Sequence, residues 1–153
     1  MKYSIDTSAI LDGWNRYYPH DVFPALWQNL ARMVDQGHLR ATEEVLAELE
    51  RKQDEVYAWG VSLLEMFVEI DERIQDSVRE IMTRFPKLVD TRKNRSGADP
   101  WIIALAQVHQ CAVITGEPET GKAERPNIPD VCRQLEIPCF TLLDLMRRER
   151  WKF

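Results

Sequence analysis

Near the N-terminus apolar Tyr3 and Ile5 alternate with Lys2 and Ser4, a period of two that predicts a short strand ending at Asp6. Thr7 and Ser8 are placed to cap the apolar stretch that opens Ala9-Ile10-Leu11, so the order is strand, carboxylate, helix. Gly13 to Pro19 interrupts the pattern. From Val22 to Val34 apolar residues return at helical spacing (Leu26, Trp27, Leu30, Met33, Val34), and Gly37 ends that helix. His38 to Ala41 predicts a brief second strand. Thr42 follows as the cap of a long helix with Glu43 and Glu44 in its first turn, where negative charge suits the helix dipole. Val45, Leu49, Val56, Val61, Leu64 and Phe67 continue its apolar face, with Gly60 as a kink or break.

Asp71 to Phe85 predicts another helix, stopped by Pro86. Beyond the basic loop TRKNRSGAD, Asp99-Pro100 opens a helix through Gln107, with Asp99 as its cap and proline at the first helical position. Ala112 to Thr115 predicts a buried strand. The acidic GEPETGKAERPN loop leads to a short helix from Pro129 to Leu135, a strand over Cys139 to Thr141 and a terminal helix ending in RRERWKF. Strands alternating with helices predict an α/β fold, a three-layer α/β/α sandwich with a central, mainly parallel sheet in one domain over residues 1–153. Ligands of such sheets bind at the carboxyl ends of the strands. Asp6 and Glu117 fall just past strands, and Glu48 and Asp99 lie near helix starts that can line the same edge.

Composition narrows the function classes. A hydrophobic content of 44% with 29% charged residues describes a folded chain, and a net charge of −5 excludes a broad basic footprint, so nucleic-acid contact would rest on local clusters and bound cations. Cys111, Cys132 and Cys139 are odd in number and lack CxxC spacing, which suits reduced, core-packed thiols and a cytoplasmic location. No apolar run reaches membrane-spanning length, and the start MKYSIDTSAI meets an acid too soon for a signal-peptide core, so no membrane partner is expected. His20, His38 and His109 lack paired metal-ligand spacing.

The segment GEPETGK has most of a nucleotide-binding P-loop: Gly116, Gly121 and Lys122 are present, but Ala123 stands where a magnesium-binding hydroxyl is needed. Glu117 and Glu119 would repel a polyphosphate, each by about 4 kcal/mol at 4 Å in a surface-like dielectric. Pro126 and Pro129 also prevent a long helix from starting at Lys122. The loop reads better as the carrier of a cation ligand, Glu117.

Each acid also has a purely structural role open to it. Asp6 and Asp99 suit helix caps, and Glu117 suits a solvated loop. Glu48 is spaced to pair with Lys52, although Glu44 one turn earlier is a like-charge neighbour. Should Asp6, Glu48, Asp99 and Glu117 converge, their repulsion would require a counter-ion, and oxygen donors select a hard divalent cation such as Mg²⁺ or Mn²⁺. Asp12 and Asp130 are reserve acids, better read as helix-terminal or surface groups. Arg92, Lys93 and Arg95 suit either a solvated basic loop or a group that steers a phosphate backbone toward such a pocket. Trp14, Tyr17 and Tyr18 suit interface anchors, and the basic terminus around Trp151 suits either a nucleotide clamp or a frayed helix.

In this order and at these intervals YSIDTSAIL, EVLAELERK, GADPWIIALAQ and AVITGE resemble the PIN domain, the metal-dependent ribonuclease fold of VapC-type toxins. The resemblance spans nearly the whole chain, and the IPDVC segment at Ile128 to Cys132 is similar to a PIN-like bacterial branch. It implies a Mg²⁺- or Mn²⁺-dependent endoribonuclease that leaves 5′-phosphate and 3′-hydroxyl ends, as the toxin of a toxin–antitoxin pair. RNA, a cognate antitoxin and a homodimer are the implied partners. It further implies Asp6 as the first-strand ligand, Glu48 as the helix acid, Asp99 as the acid opening the later helix and Glu117 as the final acid. Thr7 and Thr115 match hydroxyl positions beside the site. The family commonly has Asp or Asn where this chain has Glu117 followed by Pro118. Two other readings are an Asp6-dependent phosphotransfer or phosphatase module, weakened by Ser8 where a second Asp is needed, and a non-catalytic PIN-like interaction module.

Overall fold

The computed structural model describes residues 1–52, 54–89, 99–122 and 124–153. Strand β1 (Tyr3–Ile5) leads to α1 (Thr7–Asp12), a π-helical turn (Gly13–Tyr17) and α2 (Pro24–Asp35). Next come β2 (Leu39–Thr42), α3 (Glu43–Glu50), α4 (Glu55–Val61), a 3₁₀ turn (Leu64–Met66), β3 (Phe67–Val68) and α5 (Glu72–Arg84). The second half holds α6 (Asp99–His109), β4 (Ala112–Ile114), α7 (Ile128–Gln134), β5 (Cys139–Phe140) and α8 (Leu142–Arg148).

All strand pairings are parallel and the sheet order is β3-β2-β1-β4-β5, giving the expected three-layer α/β/α arrangement. The chain works outward from β1 through β2 to β3, then crosses back to place β4 on the other side of β1. That reversal opens a crevice between the carboxyl ends of β1 and β4, the usual position for a ligand in an open parallel sheet. Asp6 and Thr115 are the first residues past those two strands. The Asp6 N–H donates to the Ile114 carbonyl at 2.8 Å, tying the two exits together.

Helix α6 carries buried residues round most of its circumference, from Pro100 and Ile102 to Ala106. Such a helix is covered on all sides, and here it packs against β1, β2 and β4 with α5 over it. A buried hydroxyl fixes its position: Ser4 Oγ donates to the Ile102 carbonyl at 2.9 Å. Ile102 lies one turn beyond Asp99, so this bond holds the first turn of α6 against β1.

Five sequence expectations are corrected. The Gly13–Tyr17 stretch continues as π-helix, with the Tyr18 N–H reaching back to the Gly13 carbonyl. The long helix from Thr42 is two helices, because the Asp54 side chain accepts from the Tyr57 N–H and starts α4 anew. Phe67 leaves the helical face and enters β3, which lies beside β2. The terminal helix stops at Arg148, so RWKF lies beyond it, where Trp151 packs against the core. Trp14 proves to be an internal anchor, stacked on His20 and edge-on to Trp27.

Candidate metal centre

Asp6 caps α1, and one of its oxygens does all of that work. Oδ2 accepts from the Ser8 N–H and the Ser8 hydroxyl, with the Thr115 hydroxyl 3.4 Å away. Oδ1 is buried and meets no donor. Ser8 also joins the two strand exits, because its Oγ accepts from the Gly116 N–H at 2.9 Å and lies 3.2 Å from Thr115 Oγ1. Its hydroxyl is the feature that sequence reasoning passed over. The only available signal was its place two residues after Asp6.

Asp99 behaves differently from the cap that the Asp-Pro pair predicts. It is 1% exposed, sits inside the first turn of α6, and neither carboxylate oxygen has a hydrogen-bond partner. Glu117 arrives from the loop after β4. Its Oε2 accepts from the Ile128 N–H at the start of α7, and its own N–H donates to Thr115 Oγ1 at 3.1 Å. A helix N-terminus and a threonine therefore orient this side chain, which answers for the Glu at the position where Asp or Asn was expected.

These three side chains converge: one oxygen from each of Asp6, Asp99 and Glu117 lies within 4.8 Å of the others. Among the described residues no ion pair reaches any of them. Burial pushes Asp6 up to about 7, with the charges of Glu117 and Glu48 adding to it and the Ser8 hydrogen bonds pulling the other way. Burial followed by the charges of Asp6, Glu117 and Glu48 pushes Asp99 up to about 9. With both ionised, Asp99 and Glu117 can only repel, so a hydrogen bond between them exists only while one holds a proton.

Glu48 is half-buried on α3 and stands outside the three-oxygen group, yet close enough for its charge to act on both aspartates. Thr115 belongs to the site through its hydroxyl. Thr7 Oγ1 is buried without a partner, and so is Thr42 Oγ1 at the end of β2, which makes no cap bond to α3. Arg92, Lys93 and Arg95 lie outside the described residues. Every buried side-chain oxygen found without a partner among the described residues therefore follows β1, closes β2 or opens α6. Each such group costs about 1–3 kcal/mol when nothing satisfies it. Two buried carboxylates with unpaired oxygens beside a third, Glu117, fit a hard divalent cation with its water shell, a ligand that would neutralise the group and satisfy those oxygens together.

The remaining acids resolve separately. Asp130 gathers the backbone N–H groups of Thr120, Gly121 and Asn127 and the Thr120 hydroxyl onto its carboxylate, at 2.8–3.2 Å. The segment that imitates a P-loop thus wraps its amides around an internal carboxylate. Cys132, facing Cys139 and deeply buried, has its thiol pushed far up and is not a nucleophile at neutral pH.

No helix among the described residues is long and apolar enough to cross a membrane. No curated protein matches the chain. The model of a family described as a domain of unknown function, DUF4411, matches residues 3–153, a span that takes in every strand and all of the clustered acids, and the chain belongs to that family.

Proposed function

We propose that this protein is a Mg²⁺- or Mn²⁺-dependent endoribonuclease with a PIN-like site. The observation that carries the reading is the concentration of unpaired buried oxygens, Asp6 Oδ1 and both oxygens of Asp99, beside Glu117 at the switch point of a parallel sheet. Asp6, Asp99 and Glu117 would hold the cation. Glu48, whose charge acts on both aspartates, would bind the cation's water shell, and the buried, unpartnered hydroxyls of Thr7 and Thr42 lie at the ends of β1 and β2. When bound, such a cation lowers the pKa of a coordinated water and neutralises charge building on a phosphodiester.

The protein's own residues supply positioning. Ser8 fixes Asp6, the Ser4–Ile102 bond fixes Asp99, and the start of α7 fixes Glu117, so the ligand oxygens are assembled before any cation arrives. Substrate phosphate would approach a site that is electronegative until the cation enters, so bound metal strengthens the contact with RNA. The resemblance to VapC-type toxins extends the reading to a toxin held in check by a cognate antitoxin.

Calorimetric titration of EDTA-treated protein with Mn²⁺, paired with cleavage of single-stranded RNA, tests the proposal. Wild-type protein is expected to take up Mn²⁺ and to release fragments with 5′-phosphate ends. Asp6→Asn and Asp99→Asn are expected to lose both, by more than the ~10–100-fold typical of removing an outer-shell partner. Cleavage that survives EDTA, or wild-type protein that gives no heat with Mn²⁺, would sink the reading.

A further inference from the structure

Next to the carboxylates the same edge of the sheet holds a cavity of about 390 Å³. Its walls are the end of α1 with the π-helical turn, the Thr115–Gly116 backbone, and the start of α8. Small-ligand pockets run from about 300 to 1,000 Å³. The mouth is unusual for a surface hollow in exposing large apolar groups: Tyr17 is 59% exposed and Leu143 41%. The π-helical register places Tyr17 and Tyr18 on this wall, and Trp27 Nε1 donates to the Tyr18 carbonyl at 2.8 Å, which fixes the wall to the core. Single π-helical turns of this kind are frequent at functional sites.

One carboxylate faces the cavity. Asp12 makes no side-chain cap bond and enters none of the ion pairs among the described residues. It lies so close to Gly116 that a Cβ there would sit 2.8 Å from Asp12 Oδ2 and 3.0 Å from the Ser8 carbonyl, so only glycine fits at 116 without displacement. Thr115 and Gly116 therefore form a wall shared by the cavity and the metal centre, and Glu117 is the next residue along.

The geometry points to a nucleobase subsite: the cavity receives one guanine of single-stranded RNA beside the carboxylate cluster, against Tyr17 and Tyr18, with Asp12 reading its Watson–Crick edge. Single-stranded RNA is recognised by unstacked bases laid on aromatic side chains and bonded along that edge. A carboxylate offers acceptors only. Guanine presents two adjacent donors, N1–H and N2–H, which match both oxygens. Adenine and cytosine each place a ring acceptor next to their single amino group, and uracil flanks its one N–H with two carbonyls, so each would set an acceptor against Asp12.

The ligand class rests on the nuclease reading, but the test does not need cleavage. Fluorescence anisotropy of labelled tetraribonucleotides that differ in one base, run in Ca²⁺ and again in EDTA, measures base preference directly. The guanosine probe is expected to bind about 10-fold tighter than the adenosine, cytidine and uridine probes. An inosine probe, lacking the 2-amino group, is expected to fall between them. Asp12→Asn is expected to abolish the preference with Mn²⁺ uptake unchanged, and Tyr17→Ala to weaken all probes about 10-fold without changing their order.

Equal binding of all the probes by wild-type protein, binding of none, or a guanosine preference that survives Asp12→Asn would overturn the subsite. A cavity that ignores every probe takes some other ligand, such as a side chain of a protein partner. The nuclease reading fails independently, through absent Mn²⁺ uptake and absent cleavage, and a guanosine preference measured in EDTA would outlast that failure.

Discussion

Asp130 and Asp99 are the same side chain in opposite circumstances. Backbone and hydroxyl donors from Thr120, Asn127 and Gly121 crowd the Asp130 carboxylate and hold it below the usual range despite some burial. Asp99 is pushed up to about 9 by burial first and then by the carboxylates it faces, and it meets no donor. One acid is an internal anion that organises a loop. The other is a buried carboxylate with neither oxygen satisfied. The difference lies in burial and donors and not in residue type, so a carboxylate's role is read from its surroundings and from what its oxygens touch.

The largest expected contrast is in pH dependence. Asp6 and Asp99 have folded-state values raised above the ordinary 3.8, so metal-free folded protein binds more protons than unfolded chain between about 4 and 9. Their contribution is therefore fully present below about 4 and lost as pH rises through 7 and 9. Asp130 is lowered, so its contribution is present above 3.8 and lost as pH falls. Denaturant midpoints of EDTA-treated protein are expected to decline toward pH 9, and Asp99→Asn to flatten that decline while leaving the acid side as it was. A decline unchanged in Asp99→Asn would remove the contrast.

A smaller effect comes from deleting the satisfied acid. Asp130→Ala strips the donors of Thr120, Gly121 and Asn127 and a capping-box partner from α7, at a cost of about 2 kcal/mol. Equilibrium urea unfolding at neutral pH measures it, and a loss near zero would mean that water replaces the carboxylate without penalty. Smaller again is Ser8→Ala, which removes the hydroxyl joining Asp6 to Gly116. It is expected to lower stability by about 1 kcal/mol and to weaken Mn²⁺ binding about 10-fold. Unaltered Mn²⁺ affinity in this variant would show that Asp6 needs no tether.

Alternation and helical spacing were enough to place most elements, because β1, α2, α5 and β4 each have a clean apolar pattern and a clear stop. The 42–68 stretch hid its structure. The apolar positions of α3 and α4 stay in phase across the break at Asp54, and β3 is only two residues long and follows a helical turn directly. At the site, Asp6 and Glu117 were legible from their place after strands. Asp99 in the first turn of a helix looks identical in sequence to a cap. The packing of α6 against the sheet, to which the bond from Ser4 to Ile102 belongs, brings the Asp99 oxygens beside Asp6. The cavity at Asp12 was illegible because its walls come from three distant segments, and the basic loop carrying Arg92, Lys93 and Arg95 lies outside the described residues.

Residues Glu117 and Ile128 are joined side chain to backbone, and just inside them Asn127 Nδ2 donates to the Pro118 carbonyl. The intervening excursion is therefore clasped at its neck, while Thr120 and Gly121 are anchored separately to Asp130. Its tip can lengthen, shorten or change composition without relocating the glutamate at its base. Variation among relatives at the tip would then alter what the protein meets at its surface while the chemistry beneath stays in place.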